Sequence, residues 1–115
     1  MSWDVYLKKD DKVVKVDSHE EGGTYAMGGT TNAELNITYN YSWFYYQLLD
    51  KGKGLKWLDD KVAKDTIDQL QKAVAALGIR QSKDYWADTP GNAGYALMVL
   101  LCWAKANPEA IFQVT

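Results

Sequence analysis

A run of ten consecutive apolar residues near the carboxyl end constrains the fold more than any other feature of this chain. From Tyr95 to Ala104 every residue is apolar, aromatic or cysteine. Thr89 and Pro90 provide an N-cap followed by proline at the first helical position, and Asn107-Pro108 ends the helix. A helix that is apolar on nearly all sides must be covered on nearly all sides. We therefore predict a central, buried last helix, with Cys102 inside its packing.

The remaining pattern predicts strands first and helices afterwards. The predicted elements are strands over Trp3–Leu7, Lys12–Val16 and 24–27, a short strand from Leu35, a helix over about Tyr41–Asp50, a helix opening at Asp59-Asp60 and ending at Gly78, and an edge strand over Ile111–Val114. The turn of the first hairpin lacks the Asn-Gly signal. Asn40 or Ser42 is the expected N-cap of the first helix. This order favours an α+β fold in one domain over residues 1–115, with a small antiparallel sheet packed on about three helices.

Charge argues against binding to duplex nucleic acid. The formal net charge is −2, and Arg80 is the only arginine. Lys51, Lys53 and Lys56 form a small cluster, but acidic residues surround it. Binding to a duplex normally requires a concentrated cationic face that displaces counterions. We therefore expect no direct duplex partner.

Cysteine use and the amino-terminal residues favour the cytoplasm. Cys102 is the only cysteine, so no disulfide can form within the chain. The first residues, MSWDVYLKKDDK, lack the pattern of a signal peptide. The apolar run at Tyr95–Ala104 is about half as long as a bilayer requires. We expect a cytoplasmic protein without a membrane partner.

Catalytic and metal signatures are weak. His19, the only histidine, could act as a general base oriented by a neighbouring carboxylate. A solvated polar loop explains the same residues, because nothing near His19 supplies a nucleophile or a second metal ligand. One histidine and one cysteine cannot form a structural zinc site. We expect no cofactor and no metal.

The segment Thr89–Gly94 has two interpretations. Free backbone N–H groups at a helix start favour an anion such as phosphate, with Thr89, Gly91 and Asn92 nearest to it. The glycines Gly91 and Gly94 also allow another backbone to pack closely. The segment lacks the Gly-Lys-Ser/Thr ending of a phosphate-binding loop.

Aromatic residues are concentrated between Tyr39 and Tyr46, and Tyr85-Trp86 adds two more before the last helix. One helix face cannot bury so many rings, so some should reach the surface or line a pocket. Tyrosine and tryptophan are enriched in interfaces and ligand pockets. A core with a few half-exposed tyrosines is the alternative explanation.

Three segments resemble a group of small proteins encoded by bacteriophages and prophages. They are GGTYAMGGT at 22–30, LNITYNYS at 35–42 and YWADTPGNAG at 85–94, and the resemblance extends from about Val5 to Phe112. It implies a phage-type accessory protein in the cytoplasm of a bacterial or archaeal host. Such domains often act by binding, as inhibitors of host machinery or as traps for signalling nucleotides. No residue roles follow from it.

Three functions remain open at this stage. The first is a non-catalytic inhibitor of a host defence or regulatory protein. The second is a binder of a small anionic ligand, such as a nucleotide, and the third is an enzyme that uses His19. An exposed aromatic patch could equally be the seam of a homodimer. The candidate binding residues are His19, Tyr25, Tyr39, Asn40, Trp43, Tyr45, Tyr46, Trp86, Thr89, Gly91 and Asn92.

Overall fold

The first strand, β1 (Ser2–Lys9), is the central strand of a four-stranded antiparallel sheet. The computed structural model, which describes residues 1–20, 29–84 and 86–115, pairs β6 (Ile111–Val114) with one edge of β1. The other edge of β1 pairs with β2 (Lys12–Val13) and with β5 (Glu34–Thr38). The amino-terminal strand therefore pairs with the carboxyl-terminal strand β6 on one edge and with β2 and β5 on the other.

A two-residue turn connects β1 to β2. Lys9 pairs with Lys12, and both turn residues have positive φ, 53° at Asp10 and 63° at Asp11. Positive φ at both central residues matches the right-handed twist of the two strands. The predicted hairpin is confirmed, and two aspartates occupy the positions that Asn-Gly would occupy most readily.

A separate two-stranded ribbon continues from this sheet. It consists of β3 (Lys15–Glu20) and β4 (Gly29–Asn32). Three 3.0 Å backbone hydrogen bonds join it to the sheet: Leu7 N–H to Ala33 O, Val14 N–H to Leu7 O, and Ala33 N–H to Val14 O. The strand predicted over 24–27 lies outside the described residues.

Alternation along the strands places one face of the sheet on the core. The inward side chains are buried: Trp3, Val5, Leu7, Leu35, Ile37, Phe112 and Val114. Their neighbours Asp4, Glu34 and Ile111 are exposed on the other face. This period of two is the pattern expected of an antiparallel sheet with helices on one side.

Three helices complete the fold: α1 (Ser42–Leu48), α2 (Ile67–Leu77) and α3 (Pro90–Ala106). Most of α3 is buried, and α2 packs along it. The α+β class and the central last helix are confirmed. Within the described residues, no helix is long and apolar enough to cross a membrane.

The start of the first helix differs from the prediction. A 3₁₀ turn over Tyr39–Tyr41 precedes α1, so the chain leaves β5 in a tighter coil than an α-helix. Thr38 caps that turn, with its Oγ1 accepting a hydrogen bond from Asn40 N at 3.2 Å. Ser42 Oγ donates to Tyr39 O. Neither Asn40 nor Ser42 is the N-cap.

The second helix begins later than predicted, at Ile67 instead of Asp59-Asp60. Asp59 Oδ1 accepts a hydrogen bond from Val114 N at 2.9 Å, and Asp60 N donates to Phe112 O at 2.9 Å. Residues 59–63 therefore cover the outer edge of β6, which would otherwise expose unpaired backbone groups. The two aspartates therefore bond to the edge of the sheet and do not begin the helix.

Cys102 is exposed, contrary to the prediction that it packs inside. The helix α3 keeps one outward stripe, with Cys102 and Lys105 exposed and Tyr95 and Met98 partly buried. Their spacing of three and four places them on one side of the helix. The sequence did not predict this exposed stripe, because most of its residues are as apolar as the buried residues of α3.

The Asp10-Asp11 turn gives a direct test of the hairpin. We expect Asp10→Asn combined with Asp11→Gly to raise the free energy of unfolding by about 1 kcal/mol, because left-handed backbone suits these residues better. Urea denaturation followed by circular dichroism measures the change. The control Asp17→Gly, in the extended strand β3, should lower stability by roughly 0.5–1 kcal/mol. Equal effects at both places would contradict the turn geometry.

Candidate functional site

The start of α3 is built from a threonine cap and two glycine contacts. Thr89 Oγ1 accepts a hydrogen bond from Asn92 N at 3.2 Å, and Pro90 is the first helical residue. A Cβ added at Gly91 would overlap the carbonyl oxygen of Arg80. One added at Gly94 would overlap the carbonyl oxygen of Gly78. Only glycine at these positions lets the chain that leaves α2 pass so close to α3.

These contacts provide the close packing that was one interpretation of the segment Thr89–Gly94. The residues after α2 lie against the helix start, and Gly91 is buried. Backbone carbonyl oxygens, which carry partial negative charge, occupy the space beside the two glycines. The glycines are therefore explained without an anionic ligand, and anion binding there stays an untested prediction.

Asn92 holds the loop between α2 and α3. Its side chain is buried, with 3% of the residue exposed. Its Oδ1 accepts from Ser82 N at 2.9 Å, and its Nδ2 lies 3.0 Å from Asp84 O and from Ala87 O. A buried amide with this many partners fixes a loop in one conformation. Asn92 was predicted as a binding residue, and the structure uses its polar atoms inside the chain.

The loop is joined to the 3₁₀ turn that precedes α1. Asn40 Nδ2 donates to Trp86 O at 2.7 Å. The predicted residues Asn40 and Trp86, far apart in sequence, are thus brought together. Trp86 N in turn donates to Asp84 Oδ1 at 3.0 Å.

Four aromatic side chains form what we call the aromatic face: Tyr39, Trp43, Tyr46 and Trp86. Their exposed fractions are 40%, 66%, 40% and 49%. The first three recur at helical spacing along the 3₁₀ turn and α1, and Trp86 is attached through Asn40. The prediction that some rings of this segment reach the surface is confirmed.

Tyr45, also predicted as a surface residue, is fully buried. Its hydroxyl donates to Ala93 O at 3.0 Å, which ties α1 to α3. Burial raises the pKa of Tyr45 well above its ordinary value. Tyr41 is also buried, and burial, with a smaller effect of Asp84, raises its pKa to about 12. The two tyrosines anchor the segment that exposes the other rings.

Sequence reasoning missed Met1 as a neighbour of this surface. Tyr39 N donates to Met1 O at 3.1 Å, and Met1 is 96% exposed. The pairing of Ser2 with Thr38 sets this proximity. Register between distant strands has no local sequence signal, so the contact could not be predicted.

Two further predicted residues, His19 and Tyr25, belong to the amino-terminal part of the chain. His19 lies in β3, opposite Thr30 in β4, so its backbone is strand and not loop. Tyr25 lies outside the described residues. A general-base role of His19 stays a prediction.

Three aspartates line a surface depression beside β6. Asp10, Asp11 and Asp60 contribute to it together with Lys8 and Ile111. Among the described residues, no group of three or more histidine, cysteine, aspartate or glutamate side chains has a geometry that could hold a metal ion. We therefore assign no metal site to the described part of this depression.

Comparison with known proteins gives no relative from which to transfer a role. No family model matches the chain, and no curated protein and no solved structure matches it significantly. The function of the aromatic face therefore has to be inferred from its own chemistry.

Replacing the glycines of α3 tests the close approach directly. We expect Gly91→Ala and Gly94→Ala each to lower the free energy of unfolding by about 2–3 kcal/mol, because a backbone carbonyl would have to move. Urea denaturation measures the loss. The control Gly52→Ala adds a Cβ whose nearest neighbour lies 3.5 Å away, and should change stability by less than about 0.5 kcal/mol. If Gly94→Ala lowered the free energy of unfolding no more than Gly52→Ala, the carbonyl of Gly78 would lie farther from α3 than in this structure.

Proposed function

We propose that this chain is a non-catalytic binding protein that recognises another protein through the aromatic face and inhibits it. The observation that carries the proposal is the exposure of Tyr39, Trp43 and Tyr46 at helical spacing, with Trp43 at 66%. The exposed Trp86 joins them through its backbone carbonyl, which accepts the hydrogen bond from Asn40. In the phage-type context that the resemblance implies, the target would be a host defence or regulatory protein in the cytoplasm.

The composition of the surface favours a protein partner. Scattered exposed apolar side chains are ordinary, but α1 contains no charged residue and presents Trp43 and Tyr46 to solvent. Tryptophan and tyrosine are over-represented among the residues that dominate binding energies, because each buries a large area with few rotatable bonds.

Rigid support also favours recognition. The ring of Tyr39 packs edge-on against the buried Trp3, with centroids 4.6 Å apart. Trp43 packs against Phe44, with centroids 5.3 Å apart. A side chain that is already held in place loses less conformational freedom when it binds, so more of its contact energy appears as affinity.

The alternative of a small anionic ligand at the start of α3 has less support. The carbonyl oxygens of Gly78 and Arg80 fill the space beside Gly94 and Gly91. The side chain of Asn92 already has its partners in the loop, and Thr89 Oγ1 accepts the hydrogen bond from Asn92 N. An enzyme reaction at His19 stays the third alternative, because nothing close to His19 in the sequence supplies a nucleophile or a second metal ligand.

Substitutions on the aromatic face test the proposal. Tagged protein is recovered from host lysate, and its bound polypeptides are quantified by mass spectrometry for wild type, Trp43→Ala and Trp86→Ala. We expect each variant to retain less than roughly a tenth of the bound partner, because exposed aromatic anchors dominate such interfaces. Stability should change by less than about 0.5 kcal/mol for Trp43→Ala, which removes an exposed ring.

Ile111→Ala is the matched control, because Ile111 is 46% exposed but belongs to β6. It should retain the partner. Unchanged capture by both tryptophan variants would contradict the proposal. A small molecule of a few hundred daltons bound in native mass spectra, with no polypeptide, would favour the ligand-binding alternative.

A further inference from the structure

Three lysines border the aromatic face at the carboxyl end of α1. Lys51, Lys53 and Lys56, which we call the lysine turn, are all exposed. Within the described residues none of them forms an ion pair, and the pair that is formed joins Lys64 to Glu109. These ammonium groups are therefore available to an external anion.

The nearest carboxylate does not neutralise the lysine turn through direct contact. Asp50 Oδ1 accepts hydrogen bonds from Gly52 N at 2.7 Å and from Lys53 N at 2.9 Å. The first of these bonds contributes most to lowering the pKa of Asp50. The charge of Lys53 also lowers the pKa of Asp50, so the carboxylate stays negative. With three lysines and one aspartate, residues 50–56 have a net charge of +2, and the three lysine side chains are exposed.

The lysine turn and the aromatic face are contiguous. The ring of Tyr46 lies over Gly54, where an added Cβ would come within 3.3 Å of it. Gly54 N donates to Asp50 O at 2.8 Å, which closes the turn beneath that ring. A ligand that covers Tyr46 therefore reaches the lysine turn.

The opposite end of the aromatic face is negative. Asp84 lies beside Trp86 through its 3.0 Å hydrogen bond to Trp86 N, and Asp88 is exposed two residues farther along. Lys83 is the only cation between Ser82 and Thr89, so this stretch has a net charge of −1. The surface thus changes sign from the Trp86 end to the Tyr46 end.

We propose that the aromatic face takes a protein segment with an apolar centre, carboxylates at the end that meets the lysine turn and a cation at the end that meets Asp84. This inference rests on the proposed function and specifies the partner's chemistry. Complementary charge orients a bound segment and speeds its association. Single-stranded nucleic acid would place phosphates against Asp84 and Asp88, and aromatic platforms for single strands normally lie in a uniformly positive groove.

A random peptide library displayed on messenger RNA provides the probe. The folded wild-type chain selects peptides, and the enriched sequences are counted against those selected by Trp43→Ala. We expect enriched peptides that depend on Trp43 and that combine apolar or aromatic centres with Glu or Asp on one side. The best peptide is then synthesised, and its affinity is measured by fluorescence anisotropy.

Charge reversal on the chain isolates the role of the lysine turn. Lys51→Glu, Lys53→Glu and Lys56→Glu together should weaken that peptide roughly tenfold, with a steep dependence on salt. The control combines Lys12→Glu, Lys72→Glu and Lys105→Glu, which changes net charge equally at exposed positions outside the surface. It should bind within about threefold of wild type, because distant exposed charges are screened.

The outcomes separate the two proposals. Enriched peptides that need Trp43 but lack acidic residues, or that bind the lysine-turn variant normally, would overturn the inference on partner chemistry and leave the binding face intact. An absence of peptides that depend on Trp43 would contradict the proposed function as well. Tighter binding of a fluorescent 15-nucleotide oligothymidine than of any peptide, lost in Trp43→Ala, would make the partner a single strand.

Discussion

The close approach between the start of α3 and the chain leaving α2 is the contact on which the rest of the structure depends. Gly94 and Gly91 let the carbonyls of Gly78 and Arg80 approach the helix more closely than any side chain would allow. A buried helix needs cover on all sides, and here part of that cover is backbone. The loop that follows is fixed as well, by the hydrogen bonds of the buried Asn92 side chain.

The loop between α2 and α3 connects this core packing to the surface. Asn92, which directly follows Gly91, holds the loop at Ser82 and Asp84. The loop presents Trp86, whose carbonyl accepts the hydrogen bond from Asn40. A packing constraint inside the protein thus determines where the backbone of an exposed tryptophan lies, beside Asn40 of the 3₁₀ turn. Preorganisation of this kind costs little at the moment of binding.

Sequence patterns predicted the features that depend on interactions between residues close together in the chain. The Thr89 cap, the glycine stop at Gly78 and the apolar run of α3 were readable because each signal lies within one element. Tyr45 was misplaced because its burial depends on the crossing of α1 and α3, which no periodicity in a seven-residue helix reveals. Asp59 was misread for a similar reason, since its partner is the backbone of Val114 on a strand far along the chain. The aromatic face could be predicted in composition but not in shape.

Asn92 holds the loop that carries Trp86, and amide hydrogen exchange in the Asn92→Ala variant measures how far the loop depends on it. We expect the amides of Ser82, Trp86 and Ala87 to exchange at least roughly tenfold faster than in wild type, because each lies in the loop that Asn92 fixes. The exchange rates of amides in β1 should change less between the variant and wild type than those of the loop amides. Unchanged exchange at Ser82 and Trp86 would contradict the account, because the loop would then be held without its buried amide.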